Sequence, residues 1–146
     1  MSAIPILLCG RSATIGRPVA QGLLPDYEVI HFMTNPTTAK SDIPAILSGQ
    51  RPATETDDPA VGSANFSARP RVVVLGRAFE PADVEEIRKA CEERKGEVAW
   101  VLGDPKVGPP KGPPGPGYAA KSLEEVKGVL GGWRERGEKK GELLYW

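Results

Sequence analysis

Short apolar runs bounded by glycine, proline or polar residues alternate along the chain with longer segments of mixed character. Such runs are too short for free-standing helices and are typical of strands buried on both faces of a sheet. The last run, at the C-terminal end of the sequence, predicts an edge strand or a segment docked against the body. In order, the predicted strands are Ile4–Cys9, Tyr27–Met33, the β-branched run of Arg71–Phe79 up to Gly76, Glu97–Leu102 and the tail Glu142–Trp146.

The segments between these runs predict helices. The first helix is expected to start late because of Pro18 and to end at Leu24-Pro25. Ser41–Leu47 supports a short helix with a capping serine. Glu80–Lys95 is the clearest helix, since acidic residues come early, basic residues come late and one apolar stripe runs along it.

The last helix is expected to begin at a capping box formed by Ser122 and Glu125. Two loops separate the regular segments. Gln50–Pro70 predicts either a lid over a ligand, with Phe66 as its anchor, or a mobile insert. Val107–Gly117 is rich in proline and glycine and predicts an excursion across the sheet edge or a polyproline ligand.

The alternation of strands and helices predicts a fold of the α/β class. We expect a small doubly wound parallel sheet of four to five strands in one domain spanning residues 1–146. A flavodoxin-like strand order and a truncated Rossmann order both fit, with right-handed crossovers.

Charge and composition limit the partners. Lys plus Arg and Asp plus Glu are equal at 19 each, so the formal net charge is zero, and neither nucleic acid nor a membrane is expected as a partner. Cys9, Cys91 and the single histidine His31 lack metal-ligand spacing, so no metal site is predicted. The free cysteines and the absence of a signal or membrane segment favour the cytoplasm.

Three strands end in glycine followed by a charged residue: Gly10-Arg11, Gly76-Arg77 and Gly103-Asp104. Because ligands of open α/β sheets bind outside the carboxyl ends of the strands, we expect these residues to converge on one site. Arginines beside helix N-termini favour an anionic small molecule or nucleotide. The predicted ligand-binding residues are Gly10, Arg11, Ser12, Thr14, Gly16, Gly76 and Arg77.

Residues with catalytic chemistry are few. Asp104 and His31 are the candidates for proton transfer, although a histidine in mid-strand is typical of a packed side chain. No nucleophile elbow, zinc-binding H-E-x-x-H or P-loop lysine is present.

The loop between the first strand and first helix, with Gly10, Ala13 and Gly16 at G-x-x-G-x-x-G spacing, resembles the first βα turn of the short-chain dehydrogenase superfamily. It is most similar to the regulatory branch of nitrogen metabolite repressor-like proteins. This resemblance implies a dinucleotide, NADP or NAD, bound without turnover. FMN is a further candidate, because Ser12 and Thr14 resemble the hydroxyl-rich loop of flavodoxin-like sites.

The leading functional hypothesis is therefore a small nucleotide- or phosphate-binding protein without a complete dehydrogenase active site. The alternatives are a non-catalytic interaction module, dimeric through its C-terminal aromatic residues, and a small lyase or isomerase acting on an anionic metabolite.

Overall fold

A computed structural model describes residues 3–108, 115 and 117–146. The described residues form five strands and four α-helices, and the five strands make one parallel sheet of order β2-β1-β3-β4-β5. This confirms the predicted α/β class, and of the two expected orders it is the flavodoxin-like one. The elements are β1 Ile4–Cys9, α1 Ala13–Leu23, β2 Tyr27–Met33, α2 Pro36–Leu47, β3 Val72–Leu75, α3 Pro81–Ala90, β4 Ala99–Leu102, α4 Tyr118–Glu135 and β5 Leu143–Tyr145.

Two hydrophobic layers enclose the sheet, because successive strand residues point to opposite faces. On the first face, α1 and α4 pack over side chains such as Val74 and Val101. On the second face, α2 and α3 pack over side chains such as Leu75 and Trp100. Trp100 and Trp133 are the largest fully buried side chains, one in each layer.

The last crossover differs in hand from the other three. From β1 to β2 the chain moves one way along the sheet with α1 on the first face, and from β2 to β3 to β4 it moves the other way with α2 and α3 on the second face. These three crossovers share one hand, the right hand by the general rule. From β4 to β5 the chain moves across the sheet in the same direction as from β2 to β3 to β4. Its helix α4, however, lies on the first face, whereas α2 and α3 lie on the second.

The expectation of uniformly right-handed crossovers is therefore wrong at β4–α4–β5. α4 packs on α1 at Gly22, where a Cβ would overlap the Leu123 side chain, so glycine allows the two helices to approach closely. Residues 109–114 and 116 of the proline-rich loop lie outside the described residues. Among the described residues, no helix covers the second face of β5.

Two predicted helix starts were too late. α1 begins at Ala13, since Ser12 caps it by accepting a hydrogen bond from the Thr14 amide, and Pro18 lies inside the helix on its exposed side. α2 begins at Pro36 rather than at Ser41, because the Asn35 side-chain oxygen Oδ1 accepts from the Thr38 amide at 2.8 Å.

The ends of the other two helices also differ from expectation. α3 ends at Ala90, earlier than predicted, and a short 3₁₀ turn, Lys95–Glu97, follows. α4 starts at Tyr118 after Gly117, so Ser122 lies buried inside the helix and caps nothing. Glu125 is not part of a capping box and pairs with Arg77 instead.

The segment between α2 and β3 lies along the outer edge of β2. The amide of Asp57 donates to the Phe32 carbonyl at 3.0 Å, and the amide of Ser63 donates to the Val29 carbonyl at 2.9 Å. Phe66 packs against the second-face core. The segment thus protects an edge strand that would otherwise expose unpaired backbone groups.

Within the residues described, no helix combines the length and apolar character needed to cross a membrane.

Candidate functional site

A cavity of about 100 Å³ lies at the carboxyl edge of the sheet, between the ends of β1 and β3. The strand order reverses there, because α1 leads from β1 to one side and α3 leads from β3 to the other. The interior of the cavity is apolar and its mouth is polar. Its apolar walls include Leu8, Ile15, Val19, Phe32, Val74, Val126 and Trp146, and its polar residues are Arg11, Ser12, Arg77, Tyr118 and Ser122.

The structure brings most of the predicted ligand-binding residues together at this cavity. Gly10, Arg11, Ser12, Gly16, Gly76 and Arg77 all line it. Thr14 is exposed on the first turn of α1 and is not among the lining residues. Segment 50–70, expected as a lid or a mobile insert, also contributes no lining residue.

Close packing requires glycine at one of these positions, Gly16. A Cβ on Gly16 would lie 2.9 Å from Phe32 Cζ, so a side chain would push α1 away from β2. A Cβ on Gly76 would lie 3.4 Å from the Cys9 carbonyl oxygen, which is an ordinary van der Waals contact. Gly16 therefore allows α1 to pack closely on β2 beside the cavity.

The N-terminus of α1 faces the mouth of the cavity. Ser12 Oγ accepts from the Thr14 amide at 3.2 Å, and the Ser12 carbonyl accepts from Gly16 at 2.9 Å. The amides of Thr14, Ile15 and Gly16 thus already donate to Ser12, and the attraction for an anion comes from the helix dipole, which adds partial positive charge at this end. This end of α1 consequently favours an anionic group.

Arg11 is the accessible cation at the mouth. Its side chain is 45% exposed, and Nη2 lies 3.7 Å from Asp83 Oδ2, which is a long and weak ion pair. The guanidinium lies 5.0 Å from the centroid of the Phe79 ring. Arg11 can therefore turn toward a ligand at little cost.

Arg77, in contrast, is already fully engaged in the fold. Its side chain is 9% exposed, and its guanidinium pairs with Glu125. Nε donates to the Trp146 backbone oxygen at 3.1 Å, and the guanidinium carbon lies 4.2 Å from the centroid of the Trp146 ring. Arg77 thus fixes two walls of the cavity, one on α4 and one at the end of β5.

Cys9 lines the cavity at the end of β1 and is fully buried. Burial raises the pKa of its thiol far above the ordinary value, with a smaller contribution from Cys91. Among the described residues, no group of three or more histidine, cysteine or acidic side chains is placed to hold a metal ion.

Neither candidate for proton transfer lies at the cavity. His31 is 1% exposed, and its Nε2 lies 2.9 Å from Oδ2 of the fully buried Asp42, beneath the 50–70 segment. Asp104 Oδ1 accepts from the Lys106 amide at 2.9 Å in the turn after β4. Asp104 lines a separate groove beside α3.

Sequence analysis missed the cavity residues that come from α4 and from the end of β5. These are Tyr118, Ser122, Val126 and Trp146. Ser122 was interpreted as a helix cap, and Trp146 as an exposed aromatic residue. The position of Ser122 among the apolar stripe of α4 was an available signal, whereas nothing local marks Trp146.

The strand order and the cavity at its switch point define a small flavodoxin-like α/β protein with a candidate ligand site. The chain belongs to the same family as the Aspergillus oryzae protein named Kojic acid related protein 6. The two are 36% identical over 132 residues, which cover 88% of this chain and 77% of that relative. No model of a known protein family matches the chain. No solved structure matches it.

Proposed function

We propose that the chain binds a small anionic ligand, with a phosphate or carboxylate group, in the cavity between β1 and β3. The single observation that carries the proposal is the meeting of an apolar cavity with the N-terminus of α1 and the accessible Arg11. The anion would lie at the N-terminus of α1, where the helix dipole favours negative charge, and would pair with Arg11.

The size of the cavity limits what can enter it. An apolar cavity of about 150 Å³ in another protein holds a benzene ring. The cavity of about 100 Å³ here has room for part of one small flat group, and the rest of a larger ligand would lie across the mouth. A nucleotide could bind in this way, with its phosphate at the helix terminus.

NADP and NAD remain the proposed cofactors, with FMN as a further candidate. The dehydrogenase-like turn at Gly10–Gly16 favours a dinucleotide, and a flavodoxin-like sheet can bind FMN at this switch point. The name of the Aspergillus oryzae relative refers to kojic acid, a small flat oxygen heterocycle, which is therefore a reasonable further probe. With both cysteines free and buried, we place the protein in the reducing cytoplasm.

A binding function is better supported than a lyase or isomerase function. His31 and Asp104 both lie apart from the cavity, so neither can transfer a proton to a ligand bound there. The remaining alternative, an interaction module, is favoured by exposed residues of β5 and is taken up below.

A thermal-shift panel tests the proposal. The purified protein is heated with NADP, NAD, FMN, AMP, inorganic phosphate or kojic acid at concentrations up to the millimolar range. A ligand present at about 100 times its dissociation constant stabilises the folded state by about 2.7 kcal/mol.

We expect at least one anionic probe to raise the melting temperature, and Arg11→Ala to reduce that shift. The matched control is Arg51→Ala, since Arg51 is exposed near Phe66 and lines a different groove. If no probe shifts the melting temperature, or if both variants behave like the natural protein, the proposal is wrong.

A further inference from the structure

The reversed hand of the β4–α4–β5 crossover leaves one part of the sheet without its usual cover. If the crossover were right-handed, its helix would pack on the second face, beside α3 and over β4 and β5. In this chain α4 lies on the first face, against α1. A groove of about 590 Å³ occupies the vacated place, between α3 and β5.

Exposed large hydrophobic side chains are concentrated at and beside this groove. The described residues include four large exposed hydrophobic side chains. Two of them, Leu143 and Tyr145, line the groove, at 41% and 50% exposure. A third, Val107, lies in the turn between the lining residues Pro105 and Gly108. Concentrated exposed apolar residues mark interaction surfaces, whereas isolated ones do not.

Successive side chains of β5 point to opposite faces of the sheet, which separates this surface from the core. Leu144 points to the first face and is buried there, while its two neighbours point to the second face. Leu143 and Tyr145 are therefore not needed to hold β5 in the sheet, which depends on Leu144, Trp146 and the backbone pairing with β4.

We propose that this face, which we call the β5 face, binds a second copy of the chain in a symmetric dimer. The rim charges favour this occupant. The lining residues Glu80, Glu85 and Asp104 are acidic and Arg77 and Arg88 are basic, and Lys106 lies in the turn after β4.

Residues of both signs thus surround the groove. A two-fold axis can place opposite charges together on such a rim, whereas a strongly charged partner would meet repulsion at half of them. The zero formal net charge also removes long-range repulsion between two copies.

The contact is expected through side chains rather than through the backbone of β5. This strand is only 3 residues long, and short edge strands are poor templates for pairing. Face-to-face packing of Leu143 and Tyr145 would bury the apolar patch from both copies. Leu143 and Tyr145 line the groove and not the cavity at β1 and β3, although Arg77 lines both.

Sedimentation velocity and light scattering at increasing protein concentration test the proposal. We expect the mass to approach twice 15.6 kDa for the natural protein. Leu143→Lys and, separately, Tyr145→Lys should weaken dimerisation by about tenfold or more, because each puts a charge into the apolar contact.

Leu24→Lys is the matched control, since Leu24 is equally exposed but lies at the end of α1, away from the β5 face. It should dimerise like the natural protein. Circular dichroism verifies that each variant is folded, as expected for exposed positions. A natural protein that stays monomeric at every concentration, or a folded Leu143→Lys variant that dimerises as tightly as Leu24→Lys, overturns the proposal.

Discussion

Arg77 and Trp146 are 69 positions apart in the sequence and in direct contact in the structure, by a hydrogen bond of 3.1 Å and by stacking at 4.2 Å. The Trp146 indole in turn donates to the Leu75 carbonyl at 3.0 Å, so β3, the following loop and the end of β5 are tied together. This contact closes the cavity on the side opposite α1.

Replacing Arg77 should destabilise the fold and open the cavity. In Arg77→Met the Glu125 carboxylate and the Trp146 backbone oxygen lose their shared donor, which costs about 1–3 kcal/mol of unfolding free energy. Urea unfolding measures this cost. Arg94→Met is the control, because Arg94 makes only a solvent-exposed pair with Glu97 at 3.4 Å. Equal stability of the two variants would show that the Arg77 contacts are not structural.

Gly16 is predicted to be essential for the packing of α1 on β2. Gly16→Ala should lower the unfolding free energy by about 1–3 kcal/mol, because the new methyl group meets the Phe32 ring. Gly128→Ala is the matched control, since nothing lies within 4 Å of its Cβ in α4, and alanine favours helix by about 1 kcal/mol. In thermal or urea unfolding, Gly16→Ala should lower the unfolding free energy and Gly128→Ala should raise it. A stabilised Gly16→Ala variant would contradict the close packing of Gly16 on Phe32.

The strands were predictable because each is a local apolar run: β1 and β2 have the bounds expected from the sequence. The turn at Gly10–Gly16 was predictable for the same reason, since its spacing is visible within seven residues. The start of α4 and the hand of its crossover were not predictable, because α4 packs on α1 through the long-range contact of Leu123 with Gly22. The roles of Arg77 and Trp146 depend on a long-range contact that no local pattern marks.

The buried pair of His31 and Asp42 should hold the 50–70 segment against the sheet. Asp42 Oδ2 also accepts a hydrogen bond from Thr54, which belongs to that segment. Asp42→Ala removes both contacts and leaves the buried His31 nitrogen without its partner, which should cost about 1–3 kcal/mol of unfolding free energy. Limited chymotrypsin digestion should then cleave faster after Phe66, which packs against the second-face core in the natural protein.

The control for this prediction is Asp57→Ala, which removes exposed hydrogen bonds from the same segment to Thr34. It should leave the unfolding free energy nearly unchanged. A similar loss in both variants would show that the buried pair has no special role.

Stability should fall in alkaline solution because of buried thiols. Burial raises the pKa of the Cys91 thiol from 9.0 to about 12, with a partly opposing contribution from Arg88. Between these values the unfolded chain releases a proton that the folded chain keeps, so the unfolding free energy decreases as pH rises. The loss is about 1 kcal/mol per pH unit for each such thiol.

Urea unfolding at several pH values measures how the unfolding free energy falls with pH. A range of about pH 8 to pH 10.5 brackets the onset of thiol ionisation in the unfolded chain at about pH 9. In Cys91→Ala the slope should be smaller, although the burial of Cys9 keeps part of it. An unchanged slope in the variant would contradict the assignment to Cys91.

The most direct test of the proposed ligand site is a nuclear magnetic resonance titration of the isotope-labelled protein with NADP and, separately, with inorganic phosphate. The account predicts saturable shifts of the backbone amides of Gly10–Gly16 and Gly76–Ala78, where the cavity meets the N-terminus of α1. The same titration of Arg11→Ala should require a higher concentration of each probe. Shifts confined to other parts of the sheet, or no saturable shift with either probe, would contradict a ligand site between β1 and β3.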